Sequence, residues 1–436
     1  MFGRYRDLQV PATVHIELTN ICNFRCRHCY NFWRSQEFPT FRMTRQQLDL
    51  ILYKLIDNGV FHVIFTGGEP FLNYAQLLHG IRRTVEAGLS VSCNTNLLKA
   101  KKEQFKDLRE AGLEHILTSL NTYDPETCDI IANVPDSLKK IKNGIRAAIE
   151  AGIRISVNMI ISSINRDHIY KTAALAAELG AKTFCATRTI ACVSSPEEIR
   201  KEVTVDRKLG MHILAELLRV EQDLGLKIGS LISFPHCMFK DIDKYRSLVG
   251  RGCPAGNLMM TINADGKVHA CVQEERDYGN IFTDSLPDLW ANMKLWRTGE
   301  LLPKACLKCE LLDLCDGGCR VAVKDQHLLK GRDNLMSGPG KINKPYRKLP
   351  DEESLAKVEK TAFRVPETLR FRKENGFYLV NVSAANNLFV DNEDAELLIR
   401  YQKSKGSFRL GDFGKEKKRE LARLMLAGSV SPVEDD

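Results

Sequence analysis

Cys22, Cys26 and Cys29 are three thiols spaced C-x3-C-x2-C in the run Cys-Asn-Phe-Arg-Cys-Arg-His-Cys-Tyr. Thiolates so close in sequence hold three corners of one compact metal centre. A tetrahedral zinc takes its fourth ligand from elsewhere. A cubane 4Fe–4S cluster held by three thiolates leaves its fourth iron open to a cofactor or substrate. Spacing alone leaves both open, because compact cysteine patterns serve both metals. Just upstream, Val14-His15-Ile16-Glu17-Leu18 alternates as a β-strand does. The thiols therefore stand at a strand end.

A second motif narrows the chemistry. Gly67-Gly68-Glu69-Pro70 follows another strand-like run. Its glycines let backbone approach a ligand closely, and Glu69 offers a carboxylate to an ammonium group. C-x3-C-x2-C with His28 before the last cysteine, followed by Gly-Gly-Glu-Pro, resembles the radical S-adenosylmethionine (radical SAM) enzymes. The resemblance implies that the open iron is chelated by the amino and carboxylate groups of SAM. It also implies that an electron from the cluster cleaves the sulfonium and releases a 5′-deoxyadenosyl radical.

The elements that must position these residues form a regular rhythm from residue 11 to about 225. Strand-like runs at 13–18, 60–65, 89–93, 113–119, 153–160 and 182–187 alternate with helical patterns at 44–57, 74–87, 101–111, 137–151 and 166–180, and another helix follows at 206–224. Gly59, Gly88, Gly112, Gly152 and Gly180 each stand where a helix should stop. Six β/α units at this spacing predict an α/β fold with a parallel sheet. The family resemblance implies a partial (β/α)6 barrel. Such folds place their sites at the C-terminal ends of the strands. That rule singles out the cluster loop, Gly67 to Pro70, Asn94 to Asn96, and Ser119 to Asn121. By resemblance these ends line the SAM pocket, with His28, Gly67, Gly68, Glu69, Pro70, Asn94, Asn96, Ser119, Asn121 and Arg188 as contacts. Many relatives carry Ser-Leu-Asp-Gly and Thr-Asn-Gly where this chain has Ser119-Leu120-Asn121-Thr122 and Thr95-Asn96-Leu97.

The chain has 436 residues, 44% hydrophobic and 27% charged, which suits two or three ordinary globular domains. Its N-terminus has no apolar signal core, and no apolar run approaches membrane-spanning length. A cytoplasmic location is expected, with no membrane partner. Fourteen cysteines then suggest metal binding rather than a disulfide framework. A formal charge of +8 is mild for this length, and no basic–aromatic pattern points to nucleic acid.

Beyond residue 225 the rhythm breaks and a second cysteine set begins with Cys237. Cys253 to Cys271 reads as a hairpin turning at Asn263-Ala264-Asp265-Gly266, which brings two thiols together. Cys306, Cys309, Cys315 and Cys319 follow, spaced C-x2-C-x5-C-x3-C. On spacing alone, zinc and iron–sulfur remain equally open. The whole pattern closely resembles the SPASM extension of radical SAM enzymes, which binds two auxiliary 4Fe–4S clusters. The resemblance implies that Cys253, Cys271 and Cys319 hold the first, with Cys237 as a candidate fourth ligand, and that Cys306, Cys309 and Cys315 hold the second. The family usually has one more cysteine downstream. This chain has none after Cys319, which leaves Asp325, His327, Asp333, an open iron or a lost second cluster as alternatives. Cys93, Cys128, Cys185 and Cys192 lie outside any motif and read as core or surface residues.

The tail is polar near Gly338-Pro339-Gly340 and then reads as strands from Leu369 to Asp391, with helices at Asp394–Gln402 and Lys415–Ala427. The expected division is a barrel at 1–225, a bridge and SPASM domain at 226–335, a linker at 336–365 and a small winged-helix-like α+β unit at 366–436. This last unit is similar in pattern to the peptide-recognition domains of ribosomal peptide maturation systems, which add a leader peptide as a strand to a sheet edge. The expected function is a radical SAM/SPASM peptide or protein maturase, with a peptide or protein substrate and a reductant such as flavodoxin or ferredoxin. The alternatives are a sulfatase-maturing formylglycine enzyme, disfavoured by Val272 where those relatives carry aspartate, a radical SAM enzyme for a small molecule, and a non-catalytic iron–sulfur electron carrier.

Overall fold

The computed structural model describes residues 7–31, 38–191, 195–239, 241–250, 252–325, 329–341, 356, 359–384, 386–426 and 428–432. The chain divides into two compact units, Met1–Lys341 and Ile342–Asp436.

In the first unit the strands are β1 (Thr13–Glu17), β2 (His62–Thr66), β3 (Ser90–Thr95), β4 (His115–Ser119), β5 (Arg154–Ile161), β6 (Thr183–Arg188) and β7 (Lys227–Gly229). They lie side by side in chain order, each parallel to the next. This is the α/β architecture that the six-fold rhythm predicts. The helices between them are α1 (Arg45–Asp57), α2 (Tyr74–Glu86), α3 (Lys102–Glu110), α4 (Pro125–Ala132), α5 (Ser137–Glu150), α6 (Ile169–Glu178), α7 (Glu197–Val203) and α8 (Arg207–Leu224). Their local causes are plain. Thr44 closes a capping box with Gln47, and Leu48, Ile51, Leu52 and Leu55 recur on the buried face of α1. The five glycines expected to end helices all have positive φ, between 67° and 99°. The sheet strands bury Val14, Ile16, Val63, Phe65, Ile116 and Val157 completely, each such side chain contributing roughly 1.5–3 kcal/mol.

Two helices within the β/α rhythm were not expected. Helix α4 begins with Asp124 accepting from Thr127 N and Pro125 in its first turn, and α7 follows Pro196. Both are a turn or two long and carry little periodicity.

The hairpin forms as expected. Strands β8 (Met259–Ile262) and β9 (Val268–His269) pair antiparallel around the Asn263–Gly266 turn. It does not stand alone. β8 runs parallel to β1, Thr13 opposite Met259, so the barrel sheet and the hairpin form one nine-stranded sheet. After it come α9 (Leu286–Asn292), α10 (Leu312–Cys315), β10 (Val323–Asp325) and β11 (Lys330–Asp333), the last two pairing antiparallel.

The second unit holds β12 (Ala362–Arg364), β13 (Arg370–Lys373), β14 (Tyr378–Ser383), β15 (Asn386–Val390), α11 (Asn392–Ser404), β16 (Ser407–Arg409), α12 (Lys415–Leu426) and β17 (Ser431–Pro432). β12 lies in the stretch read as linker. It is the middle of a small sheet ordered β16-β12-β17, beside a β13-β14-β15 meander. Phe363, Val380, Val390, Leu398, Phe408 and Leu421 give the unit a core of its own. Among the described residues, no helix is long and apolar enough to cross a membrane.

Candidate active site

The cluster loop leaves the C-terminal end of β1 and is held from several sides. The Thr19 hydroxyl donates to Phe41 O at 2.7 Å and accepts from Ile21 N. Arg25 N and Arg27 N donate to Ala132 O and Ile131 O at the end of α4. The Arg27 guanidinium binds both oxygens of Glu202 on α7, at 3.0 and 2.6 Å. The two unexpected helices thus brace the loop. Cys22, Cys26 and Cys29 are half-buried and carry no disulfide.

Opposite them stand the glycines of the second motif. A Cβ at Gly68 would lie 2.1 Å from Ile21 O, and one at Gly67, whose φ is 139°, 2.3 Å from Thr19 O. Gly68 N and Glu69 N donate to Thr19 O and Ile21 O. No residue with a side chain fits here, because the backbone of the motif lies directly on the cluster loop.

Together they border an open cleft lined by all three cysteines, His28, Gly67 and Gly68, with Asn94 and Asn96 at the end of β3 and Ser119 and Asn121 at the end of β4. Burial lowers the His28 pKa to about 4, so its ring is neutral. Asn96 Nδ2 lies 3.7 Å from Cys22 Sγ and donates to Asn23 Oδ1 at 2.8 Å. Asn121 Oδ1 accepts from Ile160 N. Residues that carried no sequence signal complete the lining: Asn31, Thr118, Asn158 and the apolar Phe24, Ile160 and Leu231. Asn158 follows Ser156 at a two-residue interval on β5, a polar spacing that could have marked the face, whereas Thr118 shares its face of β4 with Ile116 and carries no such mark.

Three expected contacts are not among the residues that line the cleft. Glu69 is 1% exposed. Its carboxylate accepts from Phe71 N, Thr95 Oγ1 and Asn96 N at 3.0, 2.7 and 2.8 Å. Burial pushes its pKa up while these bonds pull it down. It ties the β2 and β3 loops together. Pro70 is buried at the start of a short 3-10 turn. The two terminal nitrogens of the Arg188 guanidinium, 1% exposed, donate to Asp333, Asn334 Oδ1 and Ser233 O, while its buried Nε has no partner among the described residues. Asp333, one of the candidate ligands of the second auxiliary centre, is held in this pairing. Cys192 and His327 lie outside the described residues, as does the side chain of Asp325.

The remaining cysteines form two neighbourhoods. Cys253, Cys271 and Cys319 share one: burial raises the thiol pKa of each, and Cys253 and Cys319 add to the rise at Cys271 through charge. Cys319 N donates to Asp333 Oδ2 at 3.0 Å. Cys306, Cys309 and Cys315 are the other. Cys237, expected beside the first set, stands beside this one, for His236 N donates to Cys315 Sγ at 3.2 Å. Cys93, Cys128 and Cys185 are buried core residues.

Residues 16–176 match the radical SAM superfamily, and residues 253–316 match SPASM, an iron–sulfur cluster-binding domain. This is a radical SAM enzyme with a SPASM extension. Such a radical SAM chain implies a SAM-binding 4Fe–4S cluster and auxiliary clusters. Similar proteins include the sporulation killing factor maturation protein SkfB of Bacillus subtilis strain 168, 27% identical over 70% of this chain and 68% of that one. The AdoMet-dependent heme synthase of Methanosarcina barkeri is 26% identical over 71% and 91%. Streptococcus suis SuiB bound to S-adenosylmethionine superposes with a TM-score of 0.59 at 18% identity, over 76% of this radical SAM chain and 78% of its own. Native anSMEcpe with bound AdoMet and a Kp18Cys peptide gives 0.59 at 17%, over 74% and 93%. These two show the fold.

The cleft passes a fit test for the implied group. It pairs three thiols with two buried oxygens, Thr118 Oγ1 and Asn31 Oδ1, that have no hydrogen-bond partner among the described residues. Such atoms call for a polar ligand. No three metal-binding side chains among the described residues converge at single-ion spacing, so donor chemistry and fold make the assignment.

Proposed function

We propose that this radical SAM enzyme modifies a peptide or protein residue, abstracting hydrogen from an unreactive carbon to install a crosslink or another change. The observation that carries the reading is the cleft itself, three thiols and two orphaned oxygens at the C-terminal ends of β1 to β4. Cys22, Cys26 and Cys29 would hold the cluster and leave one iron without a protein thiolate. When bound and reduced there with SAM, that cluster supplies the deoxyadenosyl radical. The chain's own residues do the rest. Gly67 and Gly68 let the backbone of their motif close directly on the cluster loop and fix its position beside SAM. Asn94, Asn96, Ser119, Thr118 and Asn31 present amide and hydroxyl groups to its polar atoms, while Phe24, Ile160 and Leu231 exclude water from the reacting carbon. Cys253, Cys271 and Cys319, with Cys306, Cys309 and Cys315, would hold auxiliary clusters that take an electron from the substrate or ligate it.

A peptide substrate is supported by the second unit. The β13-β14-β15 meander has two outer edges, the kind of surface to which a leader peptide adds as a strand. It is also supported by SkfB, a maturation protein, and by the SuiB structure bound to precursor peptide SuiA. The heme synthase at similar identity favours a second reading, a small-molecule substrate. A cytoplasmic location and an electron donor of the flavodoxin or ferredoxin type complete the proposal.

The test is anaerobic reconstitution, reduction with SAM, and assay of 5′-deoxyadenosine. Its formation supports the radical reading; zinc in place of iron with no cleavage under any reductant would sink it. Removing the second unit then separates the substrates. Peptide affinity lost with SAM cleavage intact supports leader binding, and turnover of a porphyrin by the truncated chain supports the alternative.

A further inference from the structure

We infer that Cys237 is a ligand of the second auxiliary centre, completing a four-thiolate set with Cys306, Cys309 and Cys315. The inference rests on the cluster-binding reading above. The three clustered cysteines need a fourth partner, and no cysteine follows Cys319. Cys237 is a segment away in sequence, yet two separate backbone contacts bring it to the set.

From the N-terminal side, the peptide before Cys237 touches the set directly: His236 N donates to Cys315 Sγ at 3.2 Å. His236 is itself fixed, its Nδ1 on Phe234 O at 3.0 Å and its Nε2 accepting from Gly250 N at 3.0 Å. From the other side, Gly340 N donates to Cys309 Sγ at 3.2 Å. The same glycine packs on Cys237, since a Cβ built there would lie 3.5 Å from the Cys237 Cα. The Ser337 hydroxyl donates to the Cys237 carbonyl. The segment from Ser337 to Gly340 therefore clasps Cys237 and Cys309 together. Cys306 joins through Gly317, two residues past Cys315, whose Cβ position would be 3.9 Å from Cys306 Sγ. Cys237, Cys306 and Cys309 are half-buried and Cys315 is buried.

The surroundings suit a thiolate cluster. Backbone N–H groups aimed at sulfur are the donors that stabilise cluster thiolates and tune their potential. Glycines at 317 and 340 allow the peptide to come that close. The first set has different neighbours. Cys319 is tied to Asp333, and Gly252, next to Cys253, faces Asp316, whose Oδ2 would lie 1.6 Å from a Cβ there. None of these contacts reaches Cys237. The family pattern takes its last ligand from downstream, and here an upstream residue reaches the same centre through the fold.

The experiment is thiol footprinting of the anaerobically reconstituted full chain with iodoacetamide, read by peptide mass spectrometry. Cys237 is protected in the reconstituted protein and alkylated after chelation. In the Cys306→Ala/Cys309→Ala/Cys315→Ala variant Cys237 becomes alkylated while Cys253, Cys271 and Cys319 stay protected. In the Cys253→Ala/Cys271→Ala/Cys319→Ala variant Cys237 stays protected. Alkylation of Cys237 in the reconstituted wild-type chain, or its exposure following loss of the first set, overturns the inference. Should either triple variant fail to fold, Cys237→Ser decides. Iron falling from about twelve toward about eight per chain, or an altered auxiliary EPR signal with the SAM-binding cluster's signal unchanged, supports the assignment; unchanged iron and spectra overturn it. The protection pattern obtained with zinc alone would keep the ligand set and overturn the radical reading, so the two fail separately.

Discussion

The two cysteine-bearing regions are built on opposite plans. The first is local: one loop after β1 supplies Cys22, Cys26 and Cys29, and the rest of the barrel supplies a wall for them to face. The second is assembled. Its thiols come from before the hairpin, from both ends of the hairpin, and from the run around α10, and distant residues such as Asp333 and Gly340 hold them in place. A local site can be recognised from spacing, whereas the grouping of an assembled site depends on which segments the fold brings together. Cys237 is the case in point.

The contrast can be broken most directly at the loop. Cys26→Ala should lower deoxyadenosine formation by at least about 1,000-fold, yet leave auxiliary iron in place. Loss of all iron would show that the two regions are not separate in loading. The next largest effect falls on the assembled side. Arg188→Ala strands the fully buried Asp333 carboxylate and should cost about 3–5 kcal/mol of stability, read as a fall in unfolding midpoint together with loss of auxiliary iron. A variant with wild-type stability would mean that Asp333 needs no counter-ion.

Gly68→Ala sharpens the comparison from the wall. Its methyl would overlap Ile21 O, and overpacking of this kind costs about 1–3 kcal/mol. Weaker SAM binding with normal auxiliary iron is expected in titration; unchanged affinity would show that the loop yields without consequence. Smallest is Arg27→Ala. The Arg27–Glu202 pair is partly exposed, with side chains 41% and 18% accessible, and such pairs contribute under about 1 kcal/mol. Thermal unfolding should barely move. A large drop would mean that α7 holds the loop far more tightly than one ion pair can.

Much of the architecture was legible because its causes are local. Alternating strands, helix periodicity and glycine stops name six β/α units, and Asn263–Gly266 names the hairpin. Helix α4 was missed although Asp124-Pro125-Glu126 is a start signal, since few residues follow it before the next helix. The pairing of β8 with β1 was not legible, because a strand's sequence does not name a partner so far along the chain. The site shows the same division. Glycine positions and cysteine spacing pointed to the cleft. The partners that Glu69 and Arg188 find in the fold, backbone amides and Asp333, are invisible in a linear pattern.

The parallel pairing of β8 with β1 also bears on how the molecule is born. β1 and the loop after it leave the ribosome before β2 to β6, which can align beside them as they emerge. The free flank of β1 must then wait until Met259 has been made. Pairings of such sequence separation form late. The loop and its opposing wall therefore have time to take their shape while the auxiliary segment is still being translated, and iron can reach the first thiols before the last ones exist.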